Sequence, residues 1–142
     1  MFELAYRSVA KNNISKQDIS DILESANKFN LDNKITGCLV FYDNYFIQIL
    51  EGDRKKVKDI FSKIAKDPRH YSVKILSEGL KEERFFPEWN MAYANFDKGE
   101  NANEEVKSYA NNLILLSEFT EKPTTTLMMF WAGISRIIKS PV

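Results

Sequence analysis

The order in which strand-like and helix-like segments follow one another is the feature that most constrains this fold. Residues 2–8 begin with large side chains at every second position, and this period of two predicts a half-buried strand. Ser15 and Asp18 resemble a capping box that opens a helix. The apolar positions of this helix recur at spacings of three and four, which places one apolar stripe against the core. These positions are Ile19, Ile22, Leu23, Ala26 and Phe29.

Two further strands and a second helix follow. Strands are predicted at residues 35–42 and 46–51, and Asp43-Asn44-Tyr45 between them suits a tight hairpin turn. Gly52-Asp53 begins the second helix, and Asp67-Pro68 ends it. Its inward positions are Val57, Ile60, Phe61 and Ile64, and its outward positions are Lys55, Lys56, Lys58 and Lys63.

The remaining segments complete a recognisable order. Fourth and fifth strands are predicted at residues 73–77 and 89–94. The resulting β-α-β-β-α-β-β order is that of a ferredoxin-like α+β sheet with both helices on one face. In that topology the first and third strands lie side by side in the middle of the sheet, beneath the groove between the helices.

The C-terminal third predicts two more helices, at residues 104–119 and 124–139. We expect the chain to divide into a sheet domain, residues 1–95, and a helical extension, residues 96–142, within one compact unit. The last helix is short for a membrane span. It either covers the free face of the sheet or forms an interface with a partner.

Composition excludes several classes of function. Twenty basic residues balance twenty acidic ones among the 142 residues, so there is no overall charge to attract nucleic acid or an anionic membrane. Cys38 is the only cysteine and His70 the only histidine, which excludes an intrachain disulfide and argues against a metal site. There is no signal-peptide pattern and no apolar run of about 20 residues. We therefore expect a cytoplasmic protein.

Two polar side chains on an apolar face are the informative anomaly. Tyr6 shares its side of the first strand with Phe2 and Leu4, and Gln48 shares its side of the third strand with Phe46 and Leu50. A buried amide without partners costs roughly 1–3 kcal/mol. From position alone, two interpretations stay open: a polar core pair completed by a buried water, or a pair that receives a third polar group in the groove.

Three other polar residues lie near the same groove. Asn30 is expected at the end of the first helix, where it serves either as a C-cap or as a second amide facing the groove. Arg69 and His70 follow the second helix. They belong either to a solvated turn or to a site for an anionic or polar ligand.

Five segments in order resemble the BLUF family, the sensors of blue light using FAD. The resemblance runs from about residue 2 to about residue 94. Each segment alone is a weak signal, whereas five in register are specific. They are Tyr6-Arg7-Ser8; Asn30 with Ile35-Thr36-Gly37; Phe46-Ile47-Gln48-Ile49-Leu50-Glu51-Gly52; Asp67-Pro68-Arg69-His70; and Arg84-Phe85-Phe86-Pro87-Glu88-Trp89-Asn90-Met91.

The resemblance implies a blue-light receptor that is not an enzyme and that binds FAD, with FMN or riboflavin as alternatives. It implies that Tyr6 and Gln48 form the photoactive pair beside the flavin ring. It further implies cofactor contacts from Ile22 and Ile64, which sandwich the ring, from Asn30, and from Arg69 and His70 at the mouth. Signalling roles fall on Ser8, Trp89 and Met91. Phe29 departs from the family, some members of which carry a polar residue there.

Three other functions were weighed against this one. An RNA-binding module shares the element order, but it displays aromatic residues on its open sheet face, where this chain would show Glu3, Ala5, Arg7, Ile47, Ile49 and Glu51. An acylphosphatase-like enzyme needs a glycine-containing amide cradle, and residues 9–13 contain no glycine. An adaptor that has lost its flavin would not need Tyr6, Asn30, Gln48 and Arg69.

The output is expected to pass through another molecule. After residue 95 too little chain follows for a cyclase or a DNA-binding domain of usual size, so we expect an unidentified downstream protein or a change of homo-oligomeric assembly. The candidate contact residues are equally consistent with ordinary packing on the sheet. They are Leu113, Leu116, Phe130, Trp131 and Ile134.

Overall fold

The computed structural model describes residues 1–86, 92–95 and 124–139. The strands are β1 (Phe2–Ala10), β2 (Thr36–Tyr42), β3 (Tyr45–Gly52), β4 (His70–Leu80) and β5 (Ala92–Asn95). The helices are α1 (Lys16–Asn33), α2 (Arg54–Ala65) and α3 (Thr125–Lys139). Within these ranges no helix combines the length and the apolar character that a bilayer crossing demands. The helix expected at residues 104–119 lies outside the described residues.

The five strands form one sheet in the order β4-β1-β3-β2-β5. β1 pairs antiparallel with both β3 and β4, β2 pairs antiparallel with β3, and β5 joins the far edge parallel to β2. The predicted ferredoxin-like α+β arrangement is therefore confirmed, including the central position of β1 and β3.

Both α1 and α2 lie on one face of the sheet, as predicted. Ile19 of α1 and Val57 of α2 share a buried cluster with Phe2, Leu4 and other residues of that face. The capping box at the start of α1 is present, because the Ser15 hydroxyl accepts from the Asp18 N–H at 2.9 Å and the Asp18 carboxylate accepts from the Ser15 N–H at 3.0 Å.

The end of α1 differs from the prediction. The helix continues to Asn33, and Lys34 caps it in the left-handed conformation with φ of 54°. Asn30 is therefore not a C-cap residue. Its backbone carbonyl accepts from the Ile35 N–H at 2.9 Å, and its side chain is buried.

The β2–β3 hairpin closes through a tight turn, as predicted, but the turn has two residues because Tyr45 already belongs to β3. Asp43 and Asn44 have φ of 48° and 66°, the left-handed pair that a type I′ turn requires and that Asn and Asp tolerate. Asn44 also ties this turn to β1, because its amide donates to the Ala10 carbonyl at 2.9 Å. On β2, a Cβ at Gly37 would lie 1.9 Å from the Ile49 carbonyl oxygen, so no larger residue fits there.

β4 is longer than the predicted strand. It spans His70–Leu80, whereas the alternation predicted only residues 73–77. Its pairing with β1 shifts register at two points. Such bulges interrupt the period of two on which the prediction relied. The observed β5 covers Ala92–Asn95, so only part of the predicted residues 89–94 lies in the described strand.

The opposite face of the sheet is covered by α3. Leu127, Phe130, Trp131 and Ile134 pack against Ala5, Cys38, Val40, Ile47 and Ile49 in a second buried cluster. Gly133 permits this close approach, because a Cβ there would lie 3.2 Å from Ile47 Cδ1. Of the two interpretations left open for Phe130, Trp131 and Ile134, packing on the sheet is the observed one. Leu113 and Leu116 lie outside the described residues.

A buried ionic cluster replaces the exposed charges expected on that face. Glu3 and Glu51 are 1% and 0% exposed, and Lys81 lies between them, 3.1 Å from Glu3 and in contact with Glu51. The Glu51 carboxylate also accepts from the backbone N–H groups of Phe85 and Phe86 at 2.9 and 2.7 Å. Glu3 and Glu51 are buried because residues 81–86 fold over this end of the sheet.

Removing the cation of this cluster should destabilise the protein strongly. The change Lys81→Met leaves two buried carboxylates without their ammonium partner, and breaking a buried ion pair in this way costs about 3–5 kcal/mol. Denaturant unfolding of both proteins measures the difference. The control is Lys74→Met, which removes an exposed lysine of β4, the strand that ends immediately before Lys81. A loss at Lys81 no larger than that of the control would contradict the assigned role.

Candidate functional site

A cleft of about 270 Å³ lies between α1 and α2, above the two central strands. Its volume is close to the lower end of the range usual for small-molecule sites. Most of its wall is apolar, and the polar groups are confined to the floor and one end. The lining residues are Tyr6, Ile22, Ser25, Ala26, Phe29, Asn30, Leu39, Phe46, Gln48, Leu50, Ile60, Lys63, Ile64, Asp67, Arg69 and His70.

The floor of the cleft carries a hydrogen-bonded pair. Tyr6 of β1 and Gln48 of β3 are direct partners in the antiparallel register. The Tyr6 hydroxyl donates to Gln48 Oε1 at 2.5 Å, and the two side chains are 3% exposed each. The neighbourhood predicted from the alternation of the two strands is therefore present.

The Tyr6 phenol is held in its neutral form. Burial raises the pKa of Tyr6 well above its usual value near 10, and the negative charge of Asp67 adds to this rise. Tyr6 is therefore a hydroxyl donor toward Gln48 at neutral pH. A hydroxyl can also accept a hydrogen bond, so the same group can serve either end of the amide.

His70 closes one end of the cleft from the first position of β4. Its Nε2 lies 2.5 Å from the Ile64 carbonyl, which can only accept, and its Nδ1 lies 2.7 Å from the Ser8 hydroxyl. In the neutral ring, Nε2 therefore carries the proton and Nδ1 accepts from Ser8. The ring also meets Tyr6 edge-on, with 6.4 Å between centroids.

An acid–base pair lies at the mouth of the cleft. Arg69 Nε donates to both carboxylate oxygens of Asp67 at 2.9 and 3.1 Å, and Arg69 Nη2 donates at 2.5 Å. These hydrogen bonds lower the pKa of Asp67 and raise the pKa of Arg69. Both groups are therefore charged over the working pH range of a protein.

The structure brings all seven predicted cofactor-binding residues to this one cleft. Ile22 and Ile64 face it from the two helices, while Asn30, Arg69 and His70 join Tyr6 and Gln48 as its polar lining. Their contacts with a cofactor stay a prediction. Ser8, predicted to signal, lies behind the cleft and contacts His70. Trp89 and Met91 lie outside the described residues.

Nine of the sixteen lining residues are not among the site residues that the sequence predicts, and Asp67, Lys63 and Phe29 are three of these nine. The sequence places Asp67 at the end of the second helix and in the Asp67-Pro68-Arg69-His70 segment of the family resemblance, and it places Lys63 at a solvent-facing position of that helix. Phe29 was counted as core. The Lys63 ammonium in fact lies 4.8 Å from the centre of the Phe29 ring. Asp67 lies two residues beyond the end of α2, so helical spacing gives no signal that it lines the cleft together with Lys63.

Comparison with known proteins identifies the family. The family model for sensors of blue light using FAD matches residues 1–92, well over half of the chain. The chain belongs to the BLUF family. Its members bind a flavin, FAD, and sense blue light with it.

Relatives and solved structures agree with this assignment. The blue light- and temperature-regulated antirepressor BluF of Escherichia coli is 37% identical over 70 residues, which are 49% of this chain but 17% of that protein. The chain thus matches less than a fifth of that relative's length. The photo-activated state of BlsA aligns at a TM-score of 0.68 with 30% identity, over 99% of this chain and 96% of that one. The dark state of BlrB gives 0.70 with 26% identity, over 93% and 96%.

The lining of the cleft fits a flavin. A flat aromatic ring system suits the apolar side walls formed by Ile22 and Ile64, and its carbonyl and nitrogen edge suits the amides of Gln48 and Asn30. The donor set does not suit a metal, and within the described ranges no three His, Cys, Asp or Glu side chains cluster closely enough to hold one.

Alkaline pH should reveal the buried phenol. Because the pKa of Tyr6 is raised in the folded protein, its contribution to stability is complete below the unfolded value of about 10 and falls as pH rises beyond it. Wild-type stability should therefore fall more steeply than that of Tyr6→Phe between about pH 9.5 and 11. Urea unfolding of both proteins at several pH values measures the two slopes, and parallel slopes would contradict a neutral buried Tyr6.

Proposed function

We propose that this BLUF protein signals through the Tyr6–Gln48 hydrogen bond, which changes direction when a bound flavin is excited. The observation that carries the proposal is the position of this pair on the floor of an apolar cleft, with the tyrosine donating to the amide oxygen at 2.5 Å. An amide has a donor end and an acceptor end, so its reversal alters every group that it contacts.

The chain's own residues move one proton in this scheme. A bound flavin supplies absorption of blue light and an excited state that accepts an electron. Tyr6 releases an electron and its hydroxyl proton, and the O–H is already directed at Gln48 Oε1. The electron and the proton both return to Tyr6 before the lasting state is reached, so no net oxidation occurs. The lasting difference is in Gln48, whose amide is left rotated or in its other tautomer.

The surrounding residues hold this pair for the task. Asn30 and Gln48 position the polar edge of the ring, and Ile22 and Ile64 confine it between the helices. Arg69 and His70 contribute at the mouth. Ser8 belongs to the signalling set through His70, whose Nδ1 it contacts, and Trp89 and Met91 are proposed to carry the signal along the fifth strand.

The energy available is enough for a regulatory output without catalysis. One altered hydrogen bond is worth about 1 kcal/mol net, and about 1.4 kcal/mol changes an affinity tenfold. We therefore propose a non-enzymatic receptor that biases binding to a downstream protein or its own assembly. The partner must distinguish the two amide states for this to work. The E. coli relative, named as an antirepressor, supports an output of this protein-binding kind.

Replacing the amide should abolish the light response. Gln48→Ala is expected to retain flavin, because the apolar walls remain, but to lose the red shift of the flavin absorption bands under blue light. Absorption spectra before, during and after illumination measure this. The control is Gln17→Ala, which removes the other glutamine, an exposed side chain that donates to Asp21 at 2.8 Å. A normal shift in Gln48→Ala would overturn the mechanism.

Removing the hydroxyl should separate binding from response. Tyr6→Phe keeps the ring that packs 5.5 Å from Phe61 and loses only the donor. We expect a yellow protein without the persistent red shift. A Tyr6→Phe protein that shifts and recovers as the wild type does would exclude Tyr6 as the electron and proton donor.

A further inference from the structure

The basic groups at the cleft mouth differ in whether other protein groups bind them. Arg69 is engaged by Asp67 through three hydrogen bonds, and both ring nitrogens of His70 contact protein oxygens. Lys63 is different, because its ammonium forms no ion pair with any carboxylate of the described residues. The mouth therefore carries one uncompensated positive charge.

An aromatic ring holds this charge over the cleft. Lys63 near the end of α2 and Phe29 near the end of α1 both line the cleft. The ammonium lies 4.8 Å from the ring centre, within the distance of a cation–π interaction. This contact joins the two helices that form the cleft and keeps the lysine beside it. The ammonium N–H donors that do not face the ring stay available to an anion.

We propose that Lys63, positioned by Phe29, is the anion-binding group of the cleft and receives the phosphate on the side chain of a phosphorylated flavin. This inference rests on the proposed flavin site and adds a basis for selecting among flavins. The ring system is common to riboflavin, FMN and FAD, so the apolar walls cannot distinguish them. A phosphate on the side chain distinguishes FMN and FAD from riboflavin, and an ammonium is a strong point-charge partner for it.

A purely structural role for Lys63 makes a different prediction. A lysine in the last turn of a helix stabilises the negative end of the helix dipole. Lys63 occupies such a position in α2. In that role it would affect stability and leave the relative affinities of the three flavins unchanged.

Affinities of the full-length apoprotein for riboflavin, FMN and FAD test the proposal. Each flavin is titrated and its fluorescence quenching followed. Lys63→Met is expected to weaken FMN and FAD binding roughly five- to tenfold, the loss of one charge-assisted contact, and to leave riboflavin within about twofold. Lys63→Arg should retain most of the preference, and Phe29→Leu should reduce it in part.

Two controls separate this effect from general electrostatics. Lys66→Met removes an exposed lysine three residues along the chain that does not line the cleft, and it should leave all three affinities unchanged. Raising the salt concentration should weaken FMN binding to the wild type more than to Lys63→Met, since salt screens the ammonium–phosphate interaction that the variant lacks.

The outcomes are distinct. Equal losses for all three flavins in Lys63→Met, no loss in any of them, or the same selective loss in Lys66→Met would each overturn the assignment. Wild-type protein that binds no flavin at all would overturn the proposed function itself. Wild-type protein that binds riboflavin as tightly as FMN would overturn only this inference.

Discussion

The hydrogen bond between Tyr6 and Gln48 is the interaction on which the rest of this site depends. It joins the two central strands where they are already paired, so the backbone register sets its geometry before any ligand is present. Burial keeps the phenol neutral and therefore a donor. A polar pair in an apolar floor is costly unless it is satisfied. A third polar group can reach this pair from the cleft between α1 and α2.

The two faces of the sheet are covered in different ways. The face beneath α1 and α2 leaves a cleft, whereas the other is closed by α3 and by residues 81–86 over the buried carboxylates of Glu3 and Glu51. The covered second face also argues against RNA binding, because an RNA-binding sheet of this kind needs an open aromatic surface. Here α3 occupies that surface over β1, β3 and β4.

Much of this arrangement could be predicted because local patterns determine it. Alternation in residues 2–8 and 46–51 placed Tyr6 and Gln48 on the same side, and the split topology made them neighbours. What the sequence could not convey were features that depend on distant segments. The register shifts of β4 hid its length, and Glu3 and Glu51 looked solvent-exposed because the lysine that compensates them lies at position 81.

The same limit applies to the mouth of the cleft. Helical spacing placed Lys63 outward, which is correct for its exposure, but spacing on one helix does not reveal what the neighbouring helix presents to it. Phe29 belongs to the apolar stripe of α1 by pattern, yet its ring meets the lysine of α2. Predicting contacts between helices that are far apart in sequence requires knowledge of the fold, because the spacing of apolar residues describes one helix at a time.

Gly133 of α3 connects the packing of this helix to the strand that carries Gln48. Gly133 lies against Ile47, and Ile47 is the residue immediately before Gln48 on β3, with its side chain on the reverse side. The strand that carries the Gln48 amide is thus also part of the surface on which α3 packs. A larger residue at position 133 would therefore displace α3 from β3 while leaving the lining of the cleft on the opposite face unchanged.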